Sequence, residues 1–116
     1  SPAQDYATDA INLGKILVRD SETTFYARVE GNSMCEAGIF DGDLVVIDKS
    51  IEAKEGDIVA AFIDGEFTLK RFKVDEHEGC AWLMPANADY KPIKVTEENT
   101  FLVWGVMTFC IRRFHE

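Results

Sequence analysis

Two periods organise the hydrophobic positions of this chain. Leu13, Ile16 and Leu17 recur at helical spacing directly behind Asn12, a good N-cap, so the spacing predicts a short helix reaching about Arg19. From Thr24 the period falls to two. The segment TTFYARV alternates and is rich in β-branched and aromatic side chains, which predicts a strand over about 24–29. Gly31 breaks it. Residues 33–37 followed by Gly38 then read as one helical turn closed by a glycine past its C-cap. A second strand follows over 44–47, bracketed by the turn Asp41-Gly42-Asp43 and by Lys49-Ser50.

The sharpest local signal is GDIVAAFIDGEFTLKRF, in which two β-type runs meet at Asp64-Gly65, a dipeptide suited to a two-residue type I′ turn. Pairing Ile63 with Glu66 fixes the register. Lys70 then faces Val59, Thr68 faces Ala61 and Phe72 faces Asp57. Further strands are expected over 80–84, 90–95 and 100–114, with Pro85, Pro92 and Gly105 as punctuation or bulges. The last of these is apolar on both faces. Simple alternation puts Phe101, Val103, Met107, Phe109 and Ile111 on one and Leu102, Trp104, Val106 and Cys110 on the other, which suggests a dimer contact or a central strand. The fold class expected is mostly β, an antiparallel domain over 12–116 with a short N-terminal helix, preceded by an arm over 1–11.

With 116 residues, 47% of them hydrophobic, the chain can bury one core and not two. Twelve Lys plus Arg stand against 21 Asp plus Glu, a formal charge of -9, so a duplex phosphate backbone repels the domain and no direct DNA binding is expected. No apolar run reaches the ~18 residues that cross a bilayer, and no signal-peptide plan opens the chain, so a cytoplasmic protein without a membrane partner is expected. Cys35, Cys80 and Cys110 have no CxxC spacing and suit buried thiols in a reducing compartment better than a disulfide framework or a zinc site. No metal and no cofactor are implied. The chain opens on Ser1, as a processed or trimmed product would.

Candidate chemistry is sparse. His77 and His115 lie in polar or terminal surroundings without an evident Ser or Cys partner, GNSM is not the GxSxG elbow, and no phosphate-binding loop is present. Asp41/Asp43 and Glu97/Glu98 read as solvated turn charges. Ser33 stands out because it follows a strand, sits behind Gly31-Asn32 and opens a helical turn, where free backbone N–H groups gather. Those of Ser33 and Met34 are oxyanion candidates. A capping serine fits the same spacing. A nucleophilic serine needs a base, and Lys70 shares a strand face with Val59, Ala61 and Phe72, where desolvation disfavours an ammonium. Thr68, on the same face, could orient the amine. Arg71 and Lys73 make the segment basic in any case, and periodicity alone does not choose Lys70 over Lys73 or over a solvated strand lysine.

The strings GNSMCEAGIFDGDLVVIDKS, GDIVAAFIDGEFTLKRF, LMPANADYKPI and VWGV together resemble the catalytic domain of the LexA/UmuD family of self-cleaving SOS-response proteins. In that family the serine of a G-x-S-M motif attacks and a lysine in a T-[VL]-K-[KR] segment activates it. Ser33 and Lys70 match these positions, at the family's separation of 37 residues. The resemblance implies a LexA/signal-peptidase-like fold, self-cleavage stimulated by a RecA filament, and homodimers. SPAQDY and INLGKIL resemble the UmuD branch just past its cleavage site, which implies a processed accessory subunit of a Y-family translesion polymerase. The alternatives are the latent peptidase domain of a LexA-like repressor, lacking its helix-turn-helix, or a non-catalytic interaction module. Ala37-Gly38 lies too close to Ser33 to bend into its own site, so Gly38 is read as a cap.

Overall fold

The computed structural model describes residues 12–116; the expected arm over 1–11 lies outside the described residues. Among the described residues one short helix, α1 (Leu13–Leu17), precedes seven strands: β1 (Thr24–Arg28), β2 (Leu44–Asp48), β3 (Ile58–Ile63), β4 (Glu66–Asp75), β5 (Cys80–Met84), β6 (Ile93–Val95) and β7 (Phe101–Ile111). They form a single antiparallel sheet in the order β1-β2-β7-β3-β4-β5-β6. The fold is mostly β, as the alternation predicts.

Local chemistry sets the ends of the elements. Asn12 caps α1 by accepting from the Lys15 N–H at 3.2 Å. The helix stops two residues before Arg19 because Val18, β-branched, is already extended. Asp64 and Gly65 both have positive φ, 49° and 85°, as a type I′ turn requires. Ile63 opposes Glu66 and the whole hairpin keeps the expected register, Val59 with Lys70 and Ala61 with Thr68. The sixth strand is shorter than expected, since Tyr90 lies in a turn tied to the Asn87 carbonyl and Pro92 cannot donate to a ladder.

Both faces of the sheet are covered where β3 and β7 run. Val59, Ala61, Ile63, Leu83, Val95 and Val106 form one buried cluster, and Met34, Ile39, Val45, Ile47 and Ala60 form the other. Strand β7 lies between β2 and β3 and is central within the monomer. Simple alternation fails along it. Its pairing slips one residue against Ala60/Ala61 and again against Val46/Ile47, so Val106 joins Val103 and Phe101 on one face while Trp104 and Met107 pack on the other. Gly105 permits this bend, because a Cβ there would lie 2.6 Å from Ile47 Cγ2 and 3.1 Å from the Asp48 carbonyl oxygen. No cysteine is fully buried: Cys35 and Cys80 are half-buried and Cys110 is exposed, so the expectation of buried thiols is corrected.

Candidate active site

The turn that carries Ser33 belongs to a loop between β1 and β2 whose base is closed by backbone. The Val29 N–H donates to the Asp43 carbonyl and the Gly42 N–H to the Val29 carbonyl, both at 2.8 Å. Inside the loop a single 3-10 turn, Cys35–Ala37, ends at Gly38 in the left-handed region, φ 80°. Gly38 is thus the cap its position suggests. The start of the turn has no side-chain cap, and Ser33 does not serve as one.

The hydroxyl faces β4 instead. Lys70 Nζ lies 3.0 Å from Ser33 Oγ, 2.7 Å from Thr68 Oγ1 and 3.2 Å from the Leu69 carbonyl oxygen. Three oxygens can accept from the three N–H groups of the ammonium; once it loses a proton, two N–H groups serve Thr68 and Leu69 and the lone pair is free to take the Ser33 hydroxyl proton. Lys70 is 8% exposed, and burial alone pushes its ammonium below the usual lysine range. Lys73 is exposed and faces β5 opposite Trp82, so the structure separates two lysines that periodicity could not.

Strand β4 pairs with β3 over residues 66–71 but with β5 only over 71–75, so its outer edge along 66–70 has no strand partner among the described residues. Ser33 and Lys70 stand at this open edge, beside a cleft of about 410 Å³ whose apolar wall includes Ala27, Val29, Val45, Phe67 and Leu69. The chain leaving β5 fills the far side of the serine turn. The Ala86 N–H donates to the Ser33 carbonyl and its own carbonyl accepts from Glu36 N–H, each at 2.8 Å. Asn87 Nδ2 donates to the Asn32 carbonyl at 2.8 Å. Met34 is buried, and neither the Ser33 nor the Met34 N–H donates to an acceptor among the described residues.

A match to the model of the Peptidase S24-like family covers residues 1–108 of the chain. The chain belongs to this family. Protein MucA of Salmonella typhimurium is 40% identical over 109 residues, 93% of this chain and 73% of its own length. Protein ImpA of Salmonella typhimurium is 36% identical over all 116 residues, covering 77% of its length. The LexA repressor of Streptomyces avermitilis is 46% identical over 111 residues, 96% of this chain and 45% of its own. The Peptidase S24-like chain is therefore of the LexA/UmuD type, the group of self-cleaving serine peptidases of the SOS response.

Sequence reasoning missed what braces the serine loop of this S24-like domain. Asp43 is not a solvated turn charge but 1% exposed. Its carboxylate pairs with Arg112 at 2.8 Å and accepts from the Phe40 N–H at 2.8 Å. The Arg112 guanidinium, above all, holds the Asp43 carboxyl below the usual carboxylate range, and it also bonds the Gly38 carbonyl at 2.7 Å. Cys110 Sγ lies 3.3 Å from the same carboxylate; desolvation and that charge push its thiol up to about 11. Asn87 was missed too, although a Pro-Ala-Asn-Ala-Asp run is turn chemistry in which a side-chain amide often bonds backbone. His77 and His115 are exposed, and among the described residues no helix is long and apolar enough to cross a membrane.

Proposed function

We propose that Ser33 and Lys70 form the catalytic dyad of a self-cleaving peptidase. The observation that carries this reading is the 3.0 Å contact between Ser33 Oγ and a buried Lys70 Nζ whose ammonium is destabilised by desolvation. An extended substrate segment laid along the open edge of β4 brings a carbonyl to Ser33. Oγ attacks the carbonyl carbon while its proton passes to Lys70 Nζ. The oxyanion of the tetrahedral intermediate accepts from the Ser33 and Met34 N–H groups. Lys70 then gives the proton to the departing amine, and water releases the acyl group by the same route. Thr68 orients the amine. No step needs a metal or a cofactor.

The role proposed is that of a cytoplasmic, dimeric, processed accessory subunit of a Y-family translesion polymerase, with a RecA filament stimulating self-cleavage of its precursor. The match to Protein ImpA, a UmuD-like relative, over the whole chain supports the SOS-mutagenesis context of this reading, and the acidic charge of -9 suits a protein partner rather than DNA. Dimerisation is supported by exposed Phe109 and Ile111 near the end of β7, where residues 107–111 pair with β2 alone among the described strands. The second reading, the peptidase domain of a LexA-like repressor, draws on the higher identity to LexA repressors, 46% against 40% for Protein MucA.

Two experiments test these readings. In trans, the domain should cut a full-length precursor carrying Ser33→Ala, and Ser33→Ala or Lys70→Ala in the domain should abolish the cut; full activity of the Lys70→Ala domain would overturn the dyad. In cells lacking the precursor, the domain should restore damage-induced mutagenesis. Cells that stay non-mutable while repression of damage genes changes would assign the domain to a repressor.

A further inference from the structure

The side-chain amide of Asn87 reaches the serine turn through a backbone carbonyl and not through the Ser33 side chain. A trans peptide group is planar, and its C=O and N–H point in opposite directions, so fixing one fixes the other. The two N–H groups in question, those of Ser33 and Met34, belong to the peptide groups whose carbonyls are Asn32 O and Ser33 O. Both carbonyls are held by the same short segment: Asn32 O accepts from Asn87 Nδ2, and Ser33 O accepts from Ala86 N–H, each at 2.8 Å. A weaker bond from the Cys35 N–H at 3.3 Å is the other restraint on Asn32 O. The amide of Asn87 is itself immobilised, since its Oδ1 accepts from the Asp89 N–H at 2.9 Å. Pro85 leads into the segment.

Resting on the dyad reading, we infer that Asn87 is a positioning residue for the oxyanion site, aiming the Ser33 N–H by holding the carbonyl of the Asn32–Ser33 peptide from behind. It touches neither substrate nor Lys70. Its loss therefore lowers the rate of attack at Ser33 without moving the pH at which Lys70 becomes a base. Removing one oxyanion donor outright costs on the order of 10²–10³ in rate, and misaiming one costs part of that.

The test is the rate at which Ser33 of the intact chain is labelled by an alkyl fluorophosphonate, followed by mass spectrometry across pH. In that reaction an Oγ–P bond forms, fluoride leaves, the hydroxyl proton passes to Lys70, and the phosphoryl oxygen occupies the oxyanion position. Asn87→Asp keeps the oxygen that serves Asp89 and removes the donor to Asn32; Asn87→Ala removes both. Both should label roughly ten- to a hundredfold more slowly than the parent with the same pH midpoint. Labelling of Asn87→Asp at the parent's rate, or a slower rate with a displaced midpoint, would overturn the inference. Parent labelling that ignores Lys70→Ala would overturn the dyad reading instead, and this inference with it. Thermal unfolding of Asn87→Asp within a few degrees of the parent is expected; a folded, slow variant is the result that supports the role.

Discussion

Thr68 Oγ1 lies closer to Lys70 Nζ than Ser33 Oγ does, 2.7 Å against 3.0 Å. Thr68 and Lys70 are two apart on one strand and share a face, so the threonine fixes the rotation of the amine whose lone pair must meet Ser33. Thr68→Val keeps the shape and removes the acceptor. Cleavage in trans should fall about tenfold, the loss of roughly one hydrogen bond's net worth. Its pH midpoint should move down, because a hydroxyl accepts better from an ammonium than from an amine. An unchanged rate would leave Thr68 with a packing role only.

Lys70 should weaken the fold it serves. Burial lowers its pKa in the folded chain below the ordinary value of 10.5, so between the two values the unfolded chain binds more protons and stability rises with pH. The penalty is complete below the folded value and fades toward the ordinary one. Lys70→Met should therefore gain roughly 0.5–2 kcal/mol at pH 7 while abolishing activity, with the gain shrinking toward pH 10. Denaturant unfolding at several pH values checks this; a loss of stability at pH 7 would contradict it.

The Asp43–Arg112 pair makes an acid-sensitive brace. Asp43 is 1% exposed and its folded pKa lies below the ordinary 3.8, so its contribution is present above that value and is lost as pH falls through the folded one. Arg112→Met leaves the carboxylate buried without its cation. It should lower stability near neutrality and raise the pH of acid unfolding. An acid-unfolding midpoint equal to the parent's would mean a solvated contact instead.

Gly105 should tolerate no side chain. Its Cβ would meet Ile47 Cγ2 at 2.6 Å and the Asp48 carbonyl oxygen at 3.1 Å, inside a sheet packed on both faces. Gly105→Ala should cost about 1–3 kcal/mol by thermal or denaturant unfolding, without changing the pH profile of cleavage.

The hairpin shows how much a sequence can carry. Asp64-Gly65 selects the turn, the turn selects the register, and the register puts Thr68 and Lys70 beside Val59 and Ala61, all from local chemistry. The helical turn after Gly31 and its glycine cap were legible for the same reason. Strand β7 was legible as a strand but not in its faces, because the two slips that reassign Val106 and Trp104 depend on what β2 and β3 place opposite them. Asp43 meets Arg112 across 69 residues and Asn87 meets Asn32 across 55, and no period or motif encodes such contacts. The site's reacting pair could be named early, then, while the parts that hold it rigid could not.

The titration of the Lys70 amine itself tests the account most directly. Selective 13C labelling at the lysine ε-carbon, read by NMR across pH, reports the protonation of Lys70 without any substrate, and Lys70→Arg identifies the resonance. The dyad requires a midpoint clearly below the ordinary lysine value of 10.5, the direction that burial gives it. A Lys70 midpoint at or above that value would mean an ammonium throughout the working range, unable to take the Ser33 proton, and would contradict the account.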